Sequence, residues 1–180
     1  MSRAPSPSSA PPTRAIEMRA RIVPIASTLA GSATAIVPTV ALSPAWPPFG
    51  LLMLLAWRLL RPELWPAWIG LPLGLADDLL TGQTLGSGMV IWTLAILLVD
   101  QVEVRLLWRD YWQEWLLAAI VIAAAILLAW AIANWTGGAT PVRLALPQIV
   151  TSILFFPIIG RLCAMLDRWR LATGKIRPVD

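Results

Sequence analysis

The stretch GLADDLLTGQTLGSG, residues 74–88, places two adjacent acids, Asp77 and Asp78, between two strongly apolar segments. Glycines at positions 82, 86 and 88 follow the acids, which is typical of a tight turn between two helices. Charged groups are costly at membrane depth, so an acid pair there suggests a function unless a structural role explains it. The composition of the surrounding chain shows whether the turn belongs to a membrane protein.

The chain is far more apolar than a soluble domain of its size. Of its 180 residues, 58% are hydrophobic and only 13% are charged, and the mean hydropathy is +0.71. Soluble domains are about 45–50% apolar and about 25% charged, so the surplus predicts lipid contact. The net charge of +4 is spread among the ends of apolar segments, which predicts membrane orientation and no nucleic-acid partner.

Six apolar segments predict an all-α integral membrane protein with about six transmembrane helices. Proline, glycine or charged residues separate the segments, which cover about 22–42, 47–60, 67–80, 85–99, 115–135 and 144–165. We expect a membrane domain over 16–168, a disordered cytoplasmic tail over 1–15 and a basic cytoplasmic tail over 169–180. The second and third segments are short and interrupted by proline, so they are either full spans or a pair of broken helices.

The basic residues predict the orientation of the six segments. With six spans, all of the 14 basic residues except Arg143 fall on the same side of the membrane. By the positive-inside rule that side is cytoplasmic, and both termini lie there. Asp77 and Asp78 are the only acids near the outer face.

This asymmetry argues against an enzyme. An intramembrane aspartyl protease needs two carboxylates that converge on one water, whereas neighbours on a helix point about 100° apart. The chain has no His and a single Cys, Cys163, which excludes the usual zinc and iron sites. We therefore expect no catalytic residue, metal ligand or cofactor site.

A structural role is open to Asp78. Its carboxylate could reach across the turn between Gly82 and Gly86 and cap the free N–H groups of the next helix.

Two further features bear on interactions. Ser27, Gly31 and Ala35 are spaced four residues apart, which predicts a face for close packing, either against the chain's own helices or against a partner. The segment 100–114 is polar and amphipathic, and predicts an interfacial helix or a cytoplasmic extension.

The segment around the turn resembles the rod shape-determining protein MreD family. The resemblance covers about 48–92 and consists of a Trp-containing apolar run, an Arg-Pro pair and the pattern G-L-x-x-D-L-x-x-G-x-x-L-G. The matching residues are Trp57, Arg61, Pro62, Gly74, Leu75, Asp78, Leu79, Gly82, Leu85 and Gly86. By spacing, Asp78 takes the family's acidic position, and Asp77 is an additional neighbour.

The resemblance implies a non-enzymatic, multi-pass subunit of the bacterial inner membrane that helps maintain rod shape. It implies MreC as the main partner, with MreB, RodA and penicillin-binding protein 2 in the same peptidoglycan-synthesising complex. It also implies a fold like the S components of energy-coupling-factor transporters. That kinship leaves one alternative, a substrate-binding membrane subunit of a vitamin transporter. The residues that could furnish its pocket are few: Asn134, Thr136, Gln148, Thr151 and Ser152.

Overall fold

The described part of the protein is a bundle of six α-helices. The structure is a computed structural model and describes residues 14–36, 46–103, 111–138 and 140–172. The helices are α1 (Arg14–Ala33), α2 (Phe49–Leu60), α3 (Gly70–Thr81), α4 (Ser87–Glu103), α5 (Tyr111–Trp135) and α6 (Ala145–Ala172). Within these ranges there is no strand. The all-helical prediction is therefore confirmed.

Two helices are long and apolar enough to cross a membrane. They lie in the segments Trp112–Trp135 and Val142–Arg170, with mean hydropathies of 2.8 and 2.1. The other apolar helices among the described residues are shorter. Six full spans therefore remain a prediction.

The short helix α2 lies at the centre of the bundle. Its 12 residues extend only about 18 Å at 1.5 Å per residue, less than the hydrocarbon thickness of about 30 Å. Leu52, Leu54, Leu55 and Trp57 are completely buried. A helix that is apolar on every side is buried in protein or lipid, and here α1, α6 and α4 cover it. Since protein shields α2, its length need not match the bilayer.

Neighbouring helices pair in an order that brings the ends of α2, α4 and α6 together. The main pairs are α3 with α4, α1 with α2, α2 with α6, α5 with α6, and α4 with α5. The turn at Gly82–Gly86 lies at the opposite end of α4. The orientation of the helices in a membrane stays a prediction of the charge pattern.

Some boundaries differ from the sequence-based ones. Helix α1 begins at Arg14, so Pro24 lies inside it, and the hydroxyl groups of Ser27 and Thr28 bond to the Pro24 carbonyl. The segment 100–114 is not one separate helix in its described parts, because α4 continues to Glu103 and α5 begins at Tyr111. The pattern of apolar residues predicts only the part of each helix that would lie in lipid. The helices themselves continue past the ends of that apolar pattern. The segment 37–42, the predicted end of the first span, and the tails 1–13 and 173–180 lie outside the described residues.

Candidate functional site

Two glycines reverse the chain between α3 and α4. Gly82 caps the end of α3 in the left-handed conformation, with φ of 69°, and its N–H donates to the Asp78 carbonyl at 3.0 Å. Gly86 has φ of 94°. Side chains other than glycine are strained at such angles, so the two positions fix where the chain can turn.

The Asp78 carboxylate holds this turn from inside. Its Oδ2 accepts a hydrogen bond from the Gly86 N–H at 2.8 Å, and its Oδ1 accepts one from the Gly88 N–H at 2.8 Å. The Ser87 hydroxyl donates to the same Oδ1 at 3.2 Å. The side chain is buried, with only 1% of the residue exposed. Asp78 thus caps the first turn of α4 although it belongs to α3, and both of its carboxylate oxygens accept hydrogen bonds from that turn.

Glycines let α3 and α4 approach closely enough for this cap. A Cβ at Gly88 would lie 2.6 Å from the Gly74 carbonyl oxygen and 2.7 Å from Asp78 Oδ1. One turn further from the loop, a Cβ at Gly70 would lie 2.8 Å from the Thr93 Cα. Gly70 and Gly88 were not among the expected motif residues. The four-residue spacing of Gly70 and Gly74 was the available sequence signal, since small residues at that spacing allow close helix packing.

Arg61 and Pro62 lie at the other end of the bundle, so the motif residues form two sites. The Arg61 guanidinium bonds to Asp167 on α6, with Nη2 3.0 Å from Oδ2. Asp167 also accepts from Arg170, whose Nη2 lies 2.6 Å from Oδ1. Pro62 begins a short 3-10 turn after α2. The motif thus combines a turn between two helices with an ion pair between the ends of α2 and α6.

A second ion pair with a buried arginine lies beside the Arg61–Asp167 pair, and the sequence did not single it out. Arg58 Nε donates to Asp100 Oδ1 at 2.8 Å, and a second guanidinium nitrogen contacts the same oxygen. The remaining Nη1 donates to the carbonyls of Pro62 and Trp65. The Arg58 side chain is only 10% exposed. The only sequence signal for Arg58 was its position at the end of an apolar segment. That position predicted which side of the membrane it lies on, and it did not predict the ion pair with Asp100.

Most of the small-residue face of α1 packs against the chain itself. The Trp57 indole N–H donates to the Ser27 hydroxyl at 2.8 Å. A Cβ at Gly31 would lie 3.0 Å from the Phe49 carbonyl group. Ala35, half-buried at the end of the face, lines a cavity. Of the two alternatives for this face, internal packing describes Ser27 and Gly31, because α2 already covers them.

The polar residues of the last two helices mostly serve local structure. Asn134 bonds through its amide to the Trp130 and Thr140 carbonyls and accepts from the Thr140 N–H, which organises the loop after α5. Thr151 and Ser152 bond to carbonyls one turn earlier in α6. Among the described residues, no three Cys, Asp or Glu side chains converge as a metal site would require.

Comparison with known proteins places this geometry in a family. The family model described as rod shape-determining protein MreD matches residues 19–166. No curated protein and no solved structure matches the chain. The matched region contains the turn, the small-residue face and Arg58, Arg61 and Asp100.

Proposed function

The chain belongs to the rod shape-determining protein MreD family, and on that premise we propose that it is a non-enzymatic, multi-pass subunit of the bacterial inner membrane. In this role it helps maintain cell shape within the elongation complex. The family supports a shape-determining membrane role, and two helices have the length and hydropathy of membrane spans.

The engagement of Asp78 is the observation that carries the proposal of a non-enzymatic role. A catalytic acid must offer an oxygen to substrate or water. Asp78 instead gives both oxygens to the backbone and side chain of the α4 start. The buried acid that the family motif supplies is thus used to shape the protein.

Two exposed leucines, Leu79 and Leu85, flank the turn, and we call this apolar surface the ridge. Their exposed fractions are 67% and 68%. The cap and the two left-handed glycines stabilise the backbone that carries them. We assign it to contact with MreC, and MreB, RodA and penicillin-binding protein 2 are further members of the same complex.

Disulfide crosslinking in native membranes tests this assignment. The only cysteine, Cys163, is completely buried, so cysteines introduced by Leu79→Cys or Leu85→Cys would dominate the reaction. Leu116→Cys is the matched control, because Leu116 is an exposed leucine near the start of α5, the helix that follows the end of α4 opposite the turn. We expect crosslinks to cysteines near the MreC span from the first two variants and none from the control. Equal crosslinking yields from all three variants would refute the assignment of the ridge as the contact surface. Failure of MreC to co-purify would refute MreC as the partner.

A transporter subunit is the second candidate, favoured by a cavity of about 490 Å³ between the turn, α5 and the start of α6. Its walls are largely apolar, but Gln83, Thr84, Ser87 and Gln148 contribute polar groups. The S-component fold stays an expectation. Depletion separates the two functions: loss of a shape factor rounds the cells, whereas loss of a vitamin-binding subunit changes the vitamin requirement and leaves shape intact.

A further inference from the structure

A second cavity lies beside the turn, and the contacts described so far do not explain its polar groups. Its volume is about 290 Å³, and it lies between the end of α1, the start of α2 and the end of α3. Six of its lining residues matter here: Ser32, Trp46, Phe49, Asp77, Gln83 and Gln148.

Asp77 brings a negative charge to this cavity without a matching cation. It is half-buried, and no described residue forms an ion pair with it. Its neighbour Asp78 adds a second negative charge. Arg143, the single basic residue predicted at this end, does not line the cavity. The sequence of residues 37–45 contains no Lys or Arg, so that segment supplies no counter-charge either.

Ser32 is a second polar group of the cavity, and its hydrogen-bonding capacity is not fully used. The residue is 3% exposed, and its hydroxyl oxygen has no hydrogen-bond partner of normal geometry among the described residues. It lies close enough to the Asp77 carboxylate to interact with it, and both residues line the cavity. Gly50 of α2 leaves this space open, because a Cβ there would collide with the Ser32 hydroxyl. A buried hydroxyl whose hydrogen-bonding capacity is not fully used is unfavourable, and a bound polar group would offset that cost.

We propose that this cavity binds an ammonium or guanidinium group, with the Asp77 carboxylate as its counter-charge. The Ser32 hydroxyl and the amide oxygens of Gln83 and Gln148 accept further hydrogen bonds from it. Trp46 offers an aromatic face to the same cation. The cavity presents a single carboxylate, whereas calcium and magnesium sites usually gather several oxygen ligands, so an organic cation fits its chemistry better.

The cation has two sources with the same chemistry, a basic side chain of a partner protein or a free small amine. Both would neutralise a carboxylate that is otherwise costly at membrane depth. The site does not depend on the proposed function, because its geometry stands whichever partner the protein has.

Ligand binding to the full chain in phosphatidylcholine nanodiscs tests the site. The probe is N-acetyl-arginine amide, and its neutral isostere N-acetyl-citrulline amide is the comparison. Saturation-transfer NMR measures both affinities in the wild type, in Asp77→Asn and in Ser32→Ala. Glu63→Gln is the matched control, since Glu63 is an exposed acid outside the cavity.

We expect the wild type and Glu63→Gln to prefer the arginine probe by about tenfold or more, the effect of one partly buried ion pair with hydrogen bonds. Asp77→Asn should abolish the preference and Ser32→Ala should weaken it severalfold. Equal binding of the two probes by the wild type, or a preference that survives Asp77→Asn, would overturn the proposal.

The same measurement on the complex isolated at low salt distinguishes the sources. If a partner's side chain fills the cavity, the arginine probe binds only after the partner is removed. If the natural ligand is a free amine, the probe binds both preparations. If the wild type shows no preference for the arginine probe and still restores rod shape to depleted cells, the cation site is wrong and the proposed shape function stands.

Discussion

Replacing Asp78 by alanine should strongly destabilise the protein. The substitution leaves the N–H groups of Gly86 and Gly88 without the acceptor that now lies 2.8 Å from each. A hydrogen bond to a charged group contributes about 1.5–3 kcal/mol, so losing two should cost about 3–6 kcal/mol. Little water reaches this buried site to replace the carboxylate.

Reversible SDS unfolding in mixed micelles or bicelles measures this loss. Asp78→Asn should cost roughly half as much as Asp78→Ala, because the amide retains one acceptor oxygen for one of the two N–H groups. Asp77→Asn is the matched control and should change the unfolding free energy by less than about 1 kcal/mol, since its carboxylate bonds to no backbone N–H among the described residues. If Asp78→Ala and Asp77→Asn unfold with the same free energy, Asp78 does not act as the cap.

Three further changes follow from the same contacts. Gly74→Ala should prevent folding or cost several kcal/mol, because its Cβ would collide with the α4 backbone. Gly160→Ala has open space at its Cβ and should leave the unfolding free energy unchanged. The yield of folded protein and SDS unfolding compare the two variants. Arg58→Gln should cost about 3–5 kcal/mol of unfolding free energy, because it leaves a partly buried carboxylate unpaired. Arg61→Gln should cost about 1 kcal/mol or less, because the Arg61 side chain is 48% exposed. Equal losses from the two variants would contradict this ranking. Trp57→Phe should cost about 1–2 kcal/mol through lost packing and the lost indole hydrogen bond, and an unchanged unfolding free energy would refute that bond's contribution.

The turn illustrates how much local sequence can specify. Glycines at 82 and 86 and an acid four residues before the first of them are close in the chain, so their geometry follows from the backbone conformation of a few residues. The hydrogen bonds that the Asp78 carboxylate accepts from the start of α4 have the arrangement that this spacing suggested. The role of Asp77 was not readable in the same way, because the cavity beside it is built from α1, α2, α3 and α6 together.

Composition and the spacing of apolar segments alone determined that this protein is helical and apolar enough for a membrane, and where the chain turns. Those properties depend on residues within one or two helical turns of each other. Only the tertiary structure decided that Arg58 meets Asp100, 42 positions away, and that Arg61 meets Asp167, 106 positions away. It also decided that α2 is central, because a helix that is apolar on every side carries no signal that distinguishes lipid from protein neighbours. Which helix ends meet depends on the packing of the whole bundle, and no single segment contains that information.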